Sequence, residues 1–179
     1  MLIARKRFNI YLLASLAAVC LCGCNLFSIV VEKKVLSSLA LHMETNPDMP
    51  ELSSPVPIYR QKPIMVNVEK SPFLTEADIS EAKVMDVLGG FALRIQFTAH
   101  GRTSLEQYTA SNPGKRIAIL CRFGPKFKEV RWLAAPHITR RISDGVLTFT
   151  PDATREEAEQ IVLGLNNMAQ EASKPSNKW

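Results

Sequence analysis

Apolar and polar residues alternate from Phe91 to Phe97, with Phe91, Leu93, Ile95 and Phe97 on one face. This two-residue period predicts a half-buried strand. Gly89-Gly90 ahead of it predicts a tight hairpin turn from Lys83–Val87, because glycine accepts positive φ. The same alternation marks Val35–Glu44, where Leu39, Leu41 and Met43 share a face, and Ile64–Val68. Further strands are predicted at Lys115–Phe123, Lys128–Ala134 and Val146–Phe149. Thr45–Pro57 holds four prolines and reads as a loop.

Helical spacing is clearest near the C-terminus. Thr154-Arg-Glu-Glu157 has the form of a capping box, and Ala158, Ile161, Val162, Leu165 and Met168 then fall on one face. Thr75–Asp78 offers a second cap before a short helix, and Arg102–Asn112 predicts a helix that Pro113-Gly114 stops. Strands outnumber helices. The expected class is α+β, a mostly antiparallel sheet with two main helices packed on it. Its core should contain Leu93, Ile95, Phe97, Ile117, Ile119, Ile161, Val162 and Leu165.

The first thirty residues follow a different pattern. Arg5-Lys6-Arg7 precedes the apolar run Ile10–Leu21, as in a secretory signal peptide. Leu21-Cys22-Gly23-Cys24 then resembles the bacterial lipobox, an apolar residue and two small residues before a cysteine. The resemblance implies cleavage between Gly23 and Cys24 and acylation of the Cys24 thiol, the nucleophile that accepts lipid. The competing reading is a transmembrane anchor, because no charge occurs among the 24 residues between Arg7 and Glu32. A spanning helix needs roughly 20 apolar residues. In both readings the cationic end stays cytoplasmic and the rest is exported. The expected organisation is a signal peptide at 1–23, a lipidated tether at 24–34, a domain at 35–170 and a tail at 171–179. The expected location is a cell membrane or outer membrane, with the domain on the exported side.

Export changes how charge and cysteine are read. The whole chain carries +5, but residues 1–23 hold three cations and no acid, leaving 19 basic against 17 acidic side chains. The mature chain is therefore nearly neutral, which gives no reason to expect nucleic acid as a partner. Beyond Cys24 only Cys121 remains, so no internal disulfide is available, and its apolar strand predicts a buried, inert thiol.

Five stretches in order resemble the head subdomain of the first periplasmic domain of SecD, the P1 head. They are Leu74–Ile79 with Glu81–Val84, Phe97–Gly101, Asn112–Ile119, Ala135–Ile138, and Phe149-Thr150 with Glu156–Ala158. Together they span about 72–166. Cys121–Gly124 stands where that family has an aspartate-glycine turn, and of its later glycines Gly145 remains. The resemblance implies an α+β fold and a role in contacting exported polypeptide or an envelope assembly. The proton-coupled motor of SecD-like proteins belongs to a transmembrane bundle, which lies outside the matching stretches.

Little in the sequence points to catalysis. His42, His100 and His137 lack metal-ligand spacing and read as surface or strand-end residues. Ser104 and Ser143 lack a nucleophile elbow, and no glycine-rich phosphate loop is present. No cofactor is expected, and the chain reads as a non-enzyme. An envelope hydrolase with an unrecognised site, resting on His137 and the basic segment, is the alternative. That segment, residues 115–141, holds Lys115, Arg116, Arg122, Lys126, Lys128, Arg131, Arg140 and Arg141 against Glu129 alone, with Phe123, Phe127 and Trp132 interleaved. If its strands bring these onto one face, they form a basic contact surface for anionic lipid or polypeptide. Otherwise they form a solvated face balanced by the acidic C-terminal helix.

The lipobox carries a direct test. Metabolic labelling with a fatty acid should mark the wild type and be lost in Cys24→Ala. Unlabelled wild type that still sediments with membranes would assign the anchor to an uncleaved helix instead.

Overall fold

The computed structural model describes residues 34–48 and 50–173. The predicted signal peptide, Gly23, Cys24, nearly all of the tether and the end of the tail lie outside the described residues. Among the described residues, nine strands and two α-helices follow in order: β1 Ser38–Met43, β2 Ser53–Ile58, β3 Ile64–Glu69, β4 Leu74–Thr75, β5 Ile79–Val87, β6 Gly90–Phe97, α1 Ala99–Ser111, β7 Ile117–Phe123, β8 Glu129–Ala134, β9 Val146–Phe149 and α2 Arg155–Ala172. They form a four-stranded sheet β4-β1-β7-β8, a three-stranded sheet β5-β6-β9 and the β2-β3 hairpin, with every ladder antiparallel. The class is α+β, as expected.

The main core lies where the inner face of the four-stranded sheet meets the three-stranded sheet and the helices. Leu39, Leu41 and Met43 from β1 meet Ile117, Ile119, Cys121 and Phe123 from β7, and Leu93, Ile95 and Phe97 from β6. Leu105 of α1 and Ala158, Ile161 and Leu165 of α2 complete it, with Val162 partly buried at its margin. Burial pushes the Cys121 thiol up to about 12, so it stays protonated and unreactive.

Three local expectations are corrected. The proline-rich stretch contains β2, because Pro55 and Pro57 occupy alternate positions whose side chains are exposed while Val56 and Ile58 point inward. A strand of a two-stranded ladder loses no pairing when its prolines sit where an N–H would face away from the partner. The β5–β6 turn is Leu88-Gly89, with Val87 paired to Gly90 and Gly89 at φ +87°. Helix α1 begins at Ala99, since Thr98 accepts a hydrogen bond from the Gly101 N–H at 3.2 Å. Ala99-His-Gly101 offers no apolar stripe, which hid this turn in the sequence.

The predicted caps are present. Thr154 and Glu157 cap α2 reciprocally, and Thr75 and Asp78 do the same for a single 3₁₀ turn, Glu76–Asp78, after which the chain enters β5. Asn166 of α2 covers an edge position of β5, its side-chain amide accepting from Ala82 N at 2.8 Å and donating to Ala82 O at 3.0 Å.

The segment leading into β1 lies across α2. Lys34 pairs with Glu171 at 2.6 Å, and Asn167 donates to the Val35 carbonyl at 2.8 Å. Only a residue without Cβ fits beneath it. A Cβ on Gly164 would stand 2.2 Å from Ser37 Oγ and 2.7 Å from the Leu36 carbonyl carbon. Helix propensity alone favours alanine over glycine by about 1 kcal/mol. Here the clash should reverse the sign, and Gly164→Ala should destabilise the domain by roughly 1–3 kcal/mol in denaturant melts. A variant as stable as wild type would mean that Leu36-Ser37 does not rest on this helix.

Candidate interaction surface

The side chains of β1, β7 and β8 that point away from the core form three cross-strand rows. His42 and Ala118 begin the first, Ala40, Leu120 and Trp132 the second, and Ser38, Arg122 and Val130 the third. The β2-β3 hairpin covers the first row. Val56, Ile58, Val66 and Val68 pack there on Ala118 and Ala135 as a second small core, with Trp132 at its edge. The second row is half-buried, and in the third Arg122 and Val130 are exposed while Ser38 is half-buried. Beside them a groove of about 320 Å³ is lined by Ser38, Ala40, His42, Lys70, Pro72, Leu120 and Arg122.

His42 stands near the end of β1, as its surface or strand-end reading allowed, but it is buried, and it fixes one wall of this groove. Its Nδ1 stands 2.7 Å from the Glu69 carbonyl, which can only accept, so Nδ1 carries the proton. Its ring meets Trp132 edge-on at a centroid distance of 5.2 Å. Lys70 Nζ donates to the carbonyls of Pro50 and Glu51 at 3.0 and 2.9 Å.

The eight cations of residues 115–141 are distributed over several places. Arg131 points inward, with its guanidinium 5.1 Å from the centre of the Phe123 ring. It grips Glu157 through two bonds, Nη1 to Oε2 at 2.7 Å and Nη2 to Oε1 at 3.0 Å. Arg116 Nε donates to His137 Nε2 at 3.0 Å, while His137 Nδ1 donates to the Gly114 carbonyl at 3.1 Å. Arg141 pairs with Glu106. Lys115 is exposed just ahead of β7, and Arg140 lines a separate pocket of about 260 Å³ with His137 and Asp144. Arg122, Lys126 and Lys128 gather at the opposite end of β7, all exposed and free of ion pairs among the described residues. The third histidine, His100, is exposed and bound to Asp78 Oδ1 at 2.9 Å. Among the described residues, no group of three His, Cys, Asp or Glu side chains is arranged to hold a metal.

Residues 53–170 match the profile of the SecDF P1 head subdomain, well over half of the chain. The chain belongs to the SecDF P1 head family. The protein translocase subunit SecDF of Thermus thermophilus is 33% identical over 97 residues, which is 54% of this chain and 12% of that protein. The fold is shared with a solved structure of SecDF, described as a membrane component that enhances protein export. That structure has a TM-score of 0.53 at 21% identity, over 74% of this chain and 63% of the other. SecDF in its super-membrane-facing form gives a TM-score of 0.54 at 20% identity, over 74% and 19% of the two chains. This chain therefore spans a small part of the SecDF translocase subunit that it matches. The P1 head match starts upstream of Pro72 and takes in the β2-β3 hairpin, which the motifs read from the sequence did not reach.

Two features of this P1 head escaped sequence reasoning. The groove depends on β1 and β7 being neighbours, and their residues lie some 80 positions apart in the chain. The inward turn of Arg131 had a weak signal, because it shares the strand parity of buried Leu133. Arg60 joins the same network from the β2-β3 turn, its N–H donating to Asp152 Oδ2 at 2.8 Å.

The bond from Arg131 holds the Glu157 carboxyl below the ordinary glutamate value of 4.5, although burial opposes it. A carboxylate with a lowered folded pKa contributes stability that is complete above the unfolded value and is lost as pH falls through the folded one. Glu157→Gln should therefore cost about 1–2 kcal/mol near neutral pH and lose less stability than wild type on acidification below 4.5. Parallel acid-stability curves for the two proteins would show that the pair contributes nothing.

Proposed function

We propose that this protein is an exported, membrane-held module of the cell envelope whose P1 head contacts extended polypeptide without catalysis. The observation that carries this reading is the half-open sheet face. Ala40, Leu120, Val130 and Trp132 give an apolar floor, Arg122 supplies a cation, and the groove beside them is wide enough for side chains. Extended chains present alternate side chains to one surface, and a groove beside an apolar floor can receive them. The relatives support the same direction, since one is a protein translocase subunit and another a component that enhances export.

The anchor in this proposal is the acylated Cys24, inserted in the membrane lipid. Cleavage after Gly23 leaves residues 24–34 as a tether, 35–170 as the domain and 171–179 as a tail. An uncleaved apolar segment would serve the same topology. Each buried methylene of an acyl chain contributes about 0.8 kcal/mol, so two or three chains hold the protein firmly.

A photo-crosslinking amino acid at Leu120, used in living cells, should trap polypeptides in transit or proteins of the export machinery. The same group at Lys62, in the β2-β3 turn, should trap far less. Lipid adducts alone at Leu120 would remove the polypeptide-binding reading.

A further inference from the structure

The turn between β7 and β8 differs from the rest of the surface. Its residues are Gly124, Pro125, Lys126, Phe127 and Lys128. Gly124, Lys126 and Phe127 have φ of +76°, +59° and +55°, and the turn is closed by the Phe127 N–H donating to the Gly124 carbonyl at 3.1 Å. Two successive non-glycine residues in the left-handed region are unfavourable, and such conformations persist where the fold holds them in place. The result is an aromatic ring that neither core takes up. Phe127 is 38% exposed. Lys126 and Lys128 flank the ring. The nearby acid Glu129 leans toward Arg131 at 3.8 Å.

The position of this turn matters as much as its composition. Ser38 at the start of β1 pairs with Arg122 near the end of β7, so the turn lies at the end of the sheet where the chain arrives from residues 1–33. Cys24 is ten residues before Lys34. Fully extended, that stretch reaches at most about 35 Å. Tyr59 in the β2-β3 turn is exposed as well, next to Arg60, which Asp152 pairs, and a further exposed apolar turn, Leu88-Gly89, lies elsewhere. Asp86 beside it pairs with Arg155 at the start of α2, whereas Lys34 pairs with Glu171 near its end. The two ends are roughly 24 Å apart along the helix.

We propose that the Gly124–Lys128 turn is a membrane-surface contact, with Lys126 and Lys128 on anionic phospholipid headgroups and Phe127 in the interfacial layer. Cations flanking an aromatic ring suit that layer, where charge meets phosphate and the ring leaves water. The proposal rests on the membrane-held reading above and fixes which side of the domain faces the bilayer. It leaves the floor formed by Leu120 and Trp132 open for polypeptide.

The test uses the full chain with its anchor, reconstituted into vesicles, with an environment-sensitive fluorescent amino acid replacing Phe127. In vesicles of equal phosphatidylglycerol and phosphatidylcholine, lipid-borne spin labels should quench this probe, while the same probe at Leu88 stays unquenched. Pure phosphatidylcholine or high salt should release it. K126N/K128Q, whose asparagine tolerates the left-handed backbone, should weaken the contact about 30-fold, from two lost cations. Unchanged melting of that variant would exclude misfolding. Protein that floats with the vesicles while the probe at position 127 stays unquenched overturns the proposal and leaves the anchor intact. Equal quenching in both lipids, unaffected by K126N/K128Q, also overturns it. Protein that does not float with vesicles removes the anchor and this contact together.

Discussion

The pairing of β1 with β7 is the constraint on which the rest depends. It joins residues 38–43 to 117–122 in six consecutive pairs and forms the centre of the largest sheet. Its inner side chains make the middle of the main core, and its outer side chains make the floor of the groove. A one-residue slip would exchange these two sets, placing Arg122 in the core and Ile119 in water. The apolar run at β7 excludes that slip, because Ile117, Ile119, Cys121 and Phe123 are all buried on one side. Fold and candidate surface are thus two faces of one register.

Where the chemistry was local, the sequence could be read closely. The capping box at Thr154, the alternation in β6 and the bounds of β9 are properties of a few adjacent residues, and each stands where expected. Reading failed where a residue's role depends on distant partners. Prolines at 55 and 57 looked like loop residues until β3 supplied a ladder that tolerates them. His42 stands near a strand end, as one reading of it had it, but nothing local indicated that the hairpin and Trp132 would bury it. The run of cations left open a basic face or one balanced by the acidic C-terminal helix, and which residues that helix would meet depended on strand parity, which turns Arg131 inward to Glu157.

That carboxylate connects three parts of the chain. Glu157 caps the first turn of α2, receives Arg131 from β8, and lies 4.0 Å from Arg60 of the β2-β3 turn. Asp152 adds backbone links, donating its N–H to the Leu133 carbonyl at 2.7 Å and accepting the Arg60 N–H. The hairpin over the outer face is therefore held by its own small core and by charge at its tip. Burial of the Arg131 and Glu157 side chains makes their bond less sensitive to salt than an exposed pair.

The route by which the chain reaches β1 determines how the domain carries mechanical load. Tension arriving through Lys34 acts first on the ion pair with Glu171 and the Asn167 bond to Val35, where the segment crosses Gly164. Beyond Ser37 it runs along β1, which is bonded on one side to β7 and on the other to β4. Hydrogen bonds of an antiparallel ladder stand perpendicular to their strands. Pulling along β1 therefore shears all of them together, where pulling across it would open them one after another. Load that enters the domain through Lys34 is therefore met in the direction in which the sheet is strongest.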